Sequence, residues 1–285
     1  MKANLTVLIL TRDEEENLPA TLESLRSLAT RIVVVDSGSI DRTAEIARSA
    51  GAHVFEHAFT SQADQVNWAL EQGVCSGDWV MRLDADERLT PELAQELRAS
   101  LDMLEPDVTG IEVKRRVHFW GKWIRHGGYY PTWLFRIWRA GTARSEQRTM
   151  DEHMVSSRGR IIRARNDIID ENRKGLTHWV SKHNQYSSRE VRALEQDEAS
   201  GADAPRGQAG RRRWLKTNIY GRAPIFLRAL LYWSFRYFVL LGFLDGVPGF
   251  VFHFNQGLWY RLLVDAKIYE QRLSRRSELK VGDAR

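Results

Sequence analysis

The chain has 285 residues, of which 43% are hydrophobic and 28% charged, a balance typical of a globular protein with a sizeable core. Its 42 Lys and Arg against 37 Asp and Glu give a net charge of +5, and its single cysteine excludes an intrachain disulfide or a cysteine-rich metal site. The opening run MKANLTVLIL is too short for a secretory signal and predicts a buried strand, so we expect a cytoplasmic protein.

The first hundred residues alternate between predicted strands and predicted helices. Apolar and β-branched runs predict strands at residues 5–10, 32–35, 52–55 and 79–83. Leucine spacing, the capping residues Asp41 and Thr90, and the first-turn proline Pro91 predict helices at residues 14–28, 41–49, 61–73 and 91–104. This alternation predicts an α/β fold with a doubly wound, mostly parallel sheet. Another strand is expected at 111–120, and the aromatic, glycine-rich stretch 121–141 is predicted to be a binding wall.

Polar side chains follow three of these strands at the end where such a sheet binds ligands. They are Thr11, Arg12 and Glu14 after the first strand, Asp36 after the second, and Asp84 with Asp86 after the fourth. Taken alone, Asp36 could equally cap the next helix, and the acid pair could be a solvated loop. Three clusters at one edge favour a binding site. Closely spaced carboxylates repel one another, and Mg²⁺ or Mn²⁺, held by one or two carboxylates and substrate phosphates, would relieve that repulsion.

The chain resembles the family 2 inverting glycosyltransferases, which have the GT-A fold, over roughly residues 4–195. The resemblance rests on TRDEEENL (11–18), VVVDSGSIDRT (33–43), DQVNWAL (64–70), GDWVMRLDADERLTPEL (77–93) and GKWIRHGGYYPTWLFR (121–136). Within that family the chain is most similar to bacterial enzymes that build lipopolysaccharide core, capsule or exopolysaccharide glycans.

The resemblance implies a nucleotide-sugar donor, most simply a UDP-sugar, and a divalent metal, Mg²⁺ or Mn²⁺. It implies that Asp36 contacts the base, that Asp84 faces ribose or metal, and that Asp86 holds the metal. The remaining donor-site residues that it implies are Thr11, Arg12 and Glu14 around the nucleotide, and Gln65 and Asn67 near the sugar diphosphate. The Gln-Xaa-Xaa-Arg-Trp signature of processive synthases is absent from the sequence, so we expect one sugar to be added per encounter.

Inverting transfer needs a general base that takes the proton of the acceptor hydroxyl. Glu152 is the first candidate and Asp151 the second, because this acidic pair follows the aromatic stretch, and His153 would orient the pair or share the proton. The acceptor-side candidates are His126, Gly127 and Gly128, which would shape the pocket, and Arg136, which would meet phosphate or pair with nearby acids.

The last third of the chain predicts a helical appendage that associates with a membrane. Residues 196–213 read as a flexible basic linker, and residues 214–285 as an amphipathic helical region. The turn signal LDGVPGF (244–250) interrupts the apolar stretch 222–262, which favours two helices lying at the bilayer interface, with Arg228 among the residues at anionic headgroups. Packing of these helices on the protein itself is the soluble alternative. We expect an enzyme bound peripherally to the inner face of the plasma membrane, acting on a membrane-anchored glycan.

Two other functions remain open at this point. A nucleotidyltransferase of related fold would need a glycine-rich basic loop after the first strand, and TRDEEENL is acidic and lacks glycine. A non-catalytic protein could use the basic stretch to bind a membrane or nucleic acid. The arginines lead into an aromatic, apolar segment, which favours lipid, and we expect no nucleic-acid partner. The oligomeric state is left open.

Overall fold

The computed structural model describes residues 4–146, 153–200 and 223–282, with side chains described up to residues 194 and 275 in the last two ranges. The chain divides into two compact units. The sheet unit comprises Met1–Trp123 and Tyr129–Lys174, and the helical unit comprises Ile124–Gly128 and Gly175–Arg285.

The sheet unit is built on nine strands in one sheet. Its elements are β1 (Leu5–Thr11), α1 (Leu18–Leu25), β2 (Arg31–Asp36), α2 (Thr43–Ser49), β3 (His53–Glu56), α3 (Gln62–Glu71), β4 (Trp79–Asp84), β5 (Glu87–Leu89), α4 (Pro91–Ser100), β6 (Val108–Phe119), β7 (Lys122–Trp123), β8 (Thr132–Arg139), β9 (Ala143–Ser145), β10 (Met154–Ser156) and β11 (Arg160–Asp170). The strand order is β3-β2-β1-β4-β8-β6-β11-β5, with β7 paired to β6, and β9 and β10 form a separate ribbon.

The first four strands in this order, β3, β2, β1 and β4, run parallel, whereas β8 runs antiparallel to both β4 and β6. Successive residues of β1 point to opposite faces, so Val7 and Ile9 pack in the core cluster of α1 and α4, and Leu8 packs in the cluster of α3. Burial on both faces explains why the parallel strands read as continuous apolar runs. The predicted α/β fold with a doubly wound, mostly parallel sheet is confirmed.

One sequence prediction about the sheet is wrong. Residues 132–139, within the expected binding wall at 121–141, form the strand β8 in the middle of the sheet. Its Trp138 is fully buried, and the stretch alternates between the two faces as a strand should. Phe135 and Trp138 pack in the core cluster of α3, so part of the aromatic content of this stretch reflects core packing in the sheet unit.

The helical unit contains four α-helices within the described residues. They are α5 (Gly175–Ser200), α6 (Leu227–Ser234), α7 (Gly246–His253) and α8 (Tyr260–Gly282), with π-helical turns at Phe235–Val239 and Phe254–Trp259 and a 3₁₀ turn at Gly242–Asp245. Helices α5 and α8 pack together through Val191, Tyr260 and Val264. The predicted domain boundaries at residues 195 and 213 stay predictions.

The chain bends earlier than the sequence predicts. The 70° bend falls at Leu240–Leu241, before the predicted turn at 244–250, and within that predicted turn a 3₁₀ turn ends at Asp245 and α7 begins at Gly246, with Pro248 in its first turn, where a helix tolerates proline. The expected headgroup contact of Arg228 is wrong, since its side chain is buried and donates two hydrogen bonds to Asp265. No single helix in the described parts of the chain is long and apolar enough to cross a bilayer. Leu227–Val239 and Gly242–Arg275 reach that length and composition only as a pair bent by 70°.

Candidate functional site

Three polar strand ends meet at one edge of the sheet. Thr11 at the end of β1 is paired in register with Asp36 at the end of β2, and Leu10 is paired with Asp84 at the end of β4. The loops that follow these strands therefore open on the same side. This edge is the candidate functional site of the sheet unit.

Asp36 organises the turn that follows β2. Its carboxylate is buried and accepts hydrogen bonds from Thr11 Oγ1 at 2.8 Å, Gly38 N at 3.1 Å and Ser39 N at 2.8 Å. Gly38 has φ +78°, a conformation that glycine adopts without strain. The contact between Asp36 and a nucleotide base stays a prediction. In the structure the carboxylate of Asp36 also stabilises the turn at Gly38 and Ser39.

The loops after β1 and β2 are joined by side-chain-to-backbone hydrogen bonds. Asp13 N donates to Ser39 Oγ at 2.8 Å, and Ile40 N donates to Asp13 Oδ1 at 2.8 Å. The side chain of Arg12 is exposed at this rim. The edge of the site between Thr11 and Asp36 is thus stabilised by hydrogen bonds between the two loops.

Glu14 is engaged with a segment that sequence reasoning did not single out. Its carboxylate accepts hydrogen bonds from Lys174 Nζ and Asn17 Nδ2, both at 2.7 Å. Burial raises the pKa of Glu14 above its ordinary value, and Lys174 opposes that rise. Arg173 N donates to Asn17 Oδ1 at 2.8 Å, so residues 173–174, which follow β11, close this side of the site.

Two buried arginines hold the acids at the end of β4. Asp84 accepts from Arg82 Nη2 at 3.1 Å and from Arg136 Nη2 at 3.0 Å, and Arg136 also donates to Glu87. Burial alone would raise the pKa of Asp84, but Arg136 and Arg82 lower it well below its ordinary value, so Asp84 is ionised throughout the neutral range. The crowding of Asp84 and Glu87 is therefore relieved by guanidinium groups. Of the two roles predicted for Arg136, the described contacts are those of pairing with acids.

Of the three acids after β4, Asp86 is the one that is not paired with an arginine in the described contacts, so it is the candidate metal ligand. It is half-buried, and its Oδ2 accepts one hydrogen bond from Asn172 Nδ2 at 3.1 Å. Among the described residues, no cluster of three or more His, Cys, Asp or Glu could by itself hold a metal ion. One carboxylate with a neutral amide partner nevertheless fits the way Mg²⁺ is bound when substrate phosphates and water complete its ligands. The donor set at Asp86 is thus compatible with a shared metal site.

The two polar residues predicted on α3 make contacts within the protein. Gln65 is buried, and its Nε2 donates to Ser37 Oγ at 2.6 Å and to the carbonyl oxygen of His57 at 2.9 Å. Asn67 exchanges two hydrogen bonds of 2.9 Å with the backbone of Ser145, at the end of β9. The amide of Asn67 thus fixes β9, which we assign as a structural role.

The predicted catalytic pair, Asp151 and Glu152, lies outside the described residues. The connection from β9 to β10 contains this pair and begins directly after the Ser145 that Asn67 holds. His153 is half-buried, and its carbonyl oxygen accepts a hydrogen bond from Glu146 N at 2.9 Å. Their catalytic roles stay predictions.

The predicted acceptor-side residues His126, Gly127 and Gly128 belong to the helical unit. Asp245 is almost completely buried and accepts hydrogen bonds from His126 N at 3.0 Å and from His126 Nδ1 at 2.7 Å. A side chain at Gly127 would lie 2.1 Å from His253 Cε1, and a side chain at Gly128 would lie 2.9 Å from Leu240 Cδ1. These three residues are therefore shaped to fit the helical unit, a constraint that was not predicted from the sequence.

Several residues of the two units were missed by sequence reasoning. Arg82 carried a signal, since a charged side chain inside the apolar run WVMRLD needs a partner when the strand is buried. Asn172 and Lys174 follow β11, whose mixed sequence RIIRARNDIID does not alternate cleanly. Asp245 lies 119 residues from His126, so their pairing had no local signal.

Comparison with known proteins agrees with the fold. The model of the family Glycosyl transferase family 2 matches residues 6–168. The lipopolysaccharide core biosynthesis glycosyltransferase LpsC of Rhizobium meliloti is 30% identical over 99% of this chain and 98% of that protein. A TPR repeat-containing protein of Synechococcus elongatus is 38% identical over 40% of this chain, and the match spans only 27% of that protein.

Among solved structures, glucosyl-3-phosphoglycerate synthase of Mycobacterium tuberculosis, in complex with Mn²⁺, UDP and glucosyl-3-phosphoglycerate, has a TM-score of 0.34. It is 21% identical over 41% of this chain and 44% of that protein. The mostly parallel α/β sheet and the family match together define a protein of the GT-A class. The chain belongs to glycosyltransferase family 2 and is similar to lipopolysaccharide glycosyltransferases.

Proposed function

We propose that this family 2 glycosyltransferase moves a sugar from a UDP-sugar to a hydroxyl group of a membrane-anchored glycan, in the synthesis of lipopolysaccharide core, capsule or exopolysaccharide. The observation that carries the proposal is the register that brings Thr11, Asp36 and the acids after β4 to one edge of the sheet. Similarity to LpsC along nearly the whole chain supports a lipopolysaccharide-type acceptor. Membership of family 2 favours sugar transfer over the alternative of nucleotidyl transfer.

The donor lies along this edge in the proposal. The nucleotide occupies the rim formed by Thr11, Arg12 and Asp36, and the diphosphate reaches Asp86. A divalent cation, Mg²⁺ or Mn²⁺, held by Asp86 would balance the charge of the diphosphate as it departs. Asp84 stays ionised between its two arginines and orients the ribose side, and Asn172 keeps the carboxylate of Asp86 in one orientation.

The transfer inverts the configuration of the sugar. The acceptor oxygen forms its bond to the anomeric carbon as the bond from that carbon to the diphosphate breaks, and the proton passes to a carboxylate. We assign this base to Glu152, with Asp151 as the alternative. Ser145 fixes the start of the connection that carries both acids, because Asn67 holds its backbone. The reaction takes place at the cytoplasmic face of the plasma membrane in this proposal.

A panel of nucleotide sugars tests the donor and the metal. Each donor is assayed with Mn²⁺, with Mg²⁺ and with EDTA, using the wild type, Asp86→Asn and the matched control Asp102→Asn, an exposed acid away from the site edge. We expect turnover of a UDP-sugar that EDTA abolishes and that Asp86→Asn lowers by about a hundredfold or more, with no effect of the control. Turnover that withstands EDTA, or an active Asp86→Asn, would contradict the metal role.

The base and the stereochemistry are tested separately. We expect either Glu152→Gln or Asp151→Asn to lower transfer by about 10² to 10⁴-fold while UDP-sugar binding, measured by calorimetry, is unchanged. The anomeric configuration of the product, read from NMR coupling constants, should be opposite to that of the donor. Full activity of both variants would remove the assignment of the base, and retained configuration would refute inversion.

A further inference from the structure

Between residues 226 and 254 the helical unit exposes apolar side chains and buries charged ones. We call this stretch the apolar segment. Every exposed residue of this segment is apolar or glycine. The most exposed side chains include Val247 at 71%, Val239 at 65% and Phe238 at 56%. Soluble proteins rarely expose a contiguous apolar surface of this kind unless it has a partner.

The charged side chains of the apolar segment are turned inward and paired. Arg228 donates to Asp265, and Asp245 accepts from His126. Arg236 Nε donates to the carbonyl oxygen of Gly127. Burial lowers the pKa of His253 to about 4, so this ring is neutral at pH 7. The segment therefore combines an apolar exterior with charged side chains that are hydrogen-bonded inside, an arrangement suited to contact with hydrocarbon.

The character of this surface favours lipid over a protein partner. Protein interfaces have a polar rim and about one hydrogen bond per 100–200 Å², whereas the exposed side chains of the apolar segment offer none. Acyl chains need no hydrogen-bonding partner. The sequence just before the segment, residues 203–222, contains Arg206, Arg211, Arg212, Arg213, Lys216 and Arg222 against the single acid Asp203. This charge complements anionic headgroups.

No single described helix of this region is both long and apolar enough for a straight span. At 1.5 Å per residue, Leu227–Val239 is about 20 Å long, shorter than the roughly 30 Å hydrocarbon core. The next helical stretch is bent by 70° from the first, and the break at Leu240–Leu241 carries exposed side chains. We propose that the apolar segment inserts as a wedge into the acyl chains of one leaflet of an anionic bilayer and returns to the same side. This goes beyond the transfer reaction and does not depend on it.

Flotation of the full-length protein with vesicles of phosphatidylethanolamine and phosphatidylglycerol tests the wedge. The test variant is Phe238→Asp combined with Val247→Asp, and the matched control is Met103→Asp, which changes an apolar side chain that is 81% exposed in the sheet unit. We expect the wild type and the control to float in 1 M NaCl, and the test variant to lose at least about tenfold in partition coefficient. Circular dichroism and UDP binding should be the same in all three proteins, since the changed side chains are exposed.

A depth probe provides a second measurement. Cys75 is buried, so a cysteine introduced by Leu244→Cys can be labelled selectively with an environment-sensitive dye. We expect a blue shift on vesicles and quenching by lipids that carry a quencher on the acyl chain. Release of the wild type by salt, flotation of the test variant like the wild type, or a dye that stays in water would each overturn the proposal. A test variant that still floats but changes from dimer to monomer would assign the surface to contact between copies of this chain instead. Flotation requires no catalysis, so an inactive donor panel would leave this outcome unaffected.

Discussion

Removing the guanidinium group of Arg136 is the sharpest perturbation of the site. Arg136 is 7% exposed and donates to both Asp84 and Glu87, and Glu87 is 1% exposed. In Arg136→Met the carboxylate of Glu87 keeps the hydrogen bond from Asp84 N but loses its cation. Breaking a buried pair by removing one partner costs about 3–5 kcal/mol, so we expect the free energy of unfolding to fall by about that amount at pH 7.5.

The pH dependence of this loss has a definite sign. Burial raises the pKa of Glu87 above its ordinary value, and removing Arg136, which opposes that rise, raises it further. When the pKa of a carboxyl group is higher in the folded state than in the unfolded state, the group contributes to stability at pH values below its unfolded pKa. That contribution is lost as the pH rises through the folded-state pKa. The loss caused by Arg136→Met should therefore be largest at pH 7.5 and shrink towards pH 4.5.

Urea unfolding followed by tryptophan fluorescence at both pH values measures the effect. Adding Glu87→Gln to Arg136→Met removes the stranded charge and should recover at least half of the lost stability. The matched control is Arg160→Met, which removes an ion pair with Asp107 that is exposed, and it should leave unfolding essentially unchanged. A loss of less than about 1 kcal/mol, or one that does not vary with pH, would refute the view that Arg136 neutralises a buried acid.

Three further outcomes are expected. Gly127→Ala should destabilise the protein by about 2 kcal/mol or more beyond the control Gly121→Ala in thermal unfolding. Both glycines have positive φ, but only a methyl group at position 127 would press against His253. Equal losses of stability in the two variants would contradict this contact. Burial raises the pKa of Cys75 to about 11, so the native thiol should react with iodoacetamide at pH 8 about a hundredfold more slowly than in urea, and equal rates would be inconsistent with this. Thr90→Ala should cost about 1 kcal/mol through loss of the N-cap of α4, while Thr90→Ser should cost less in the same unfolding assay.

Sequence reasoning succeeded where the signal was local. The parallel strands β1, β2 and β4 were visible because burial on both faces makes them continuously apolar, and the N-cap at Thr90 was visible from the proline that follows it. The register that aligns Thr11 with Asp36 then follows from the parallel topology.

Long-range pairing could not be predicted in the same way. The antiparallel strand β8 was mistaken for a binding wall because its aromatic residues pack in the core, which composition does not reveal. The acids after β4 were recognised, but Arg136, their main partner, lies 49 and 52 residues away, so no spacing pattern pointed to it. The helical unit likewise depends on Asp245, whose partner His126 is distant in the chain.

The contact between Arg228 and Asp265 sets a limit on how far the chain can be shortened. Asp265 is fully buried and also accepts a hydrogen bond of 2.8 Å from Phe226 N, so a residue of α8 anchors the first turn of α6. A stop codon placed after residue 275 spares this anchor, whereas one placed before residue 265 leaves a buried arginine without its counter-charge. Deletions from the C-terminal end should therefore not pass residue 265, and a deletion from Gly175 onward would still leave Ile124–Gly128, the part of the helical unit that lies between β7 and β8 in the chain.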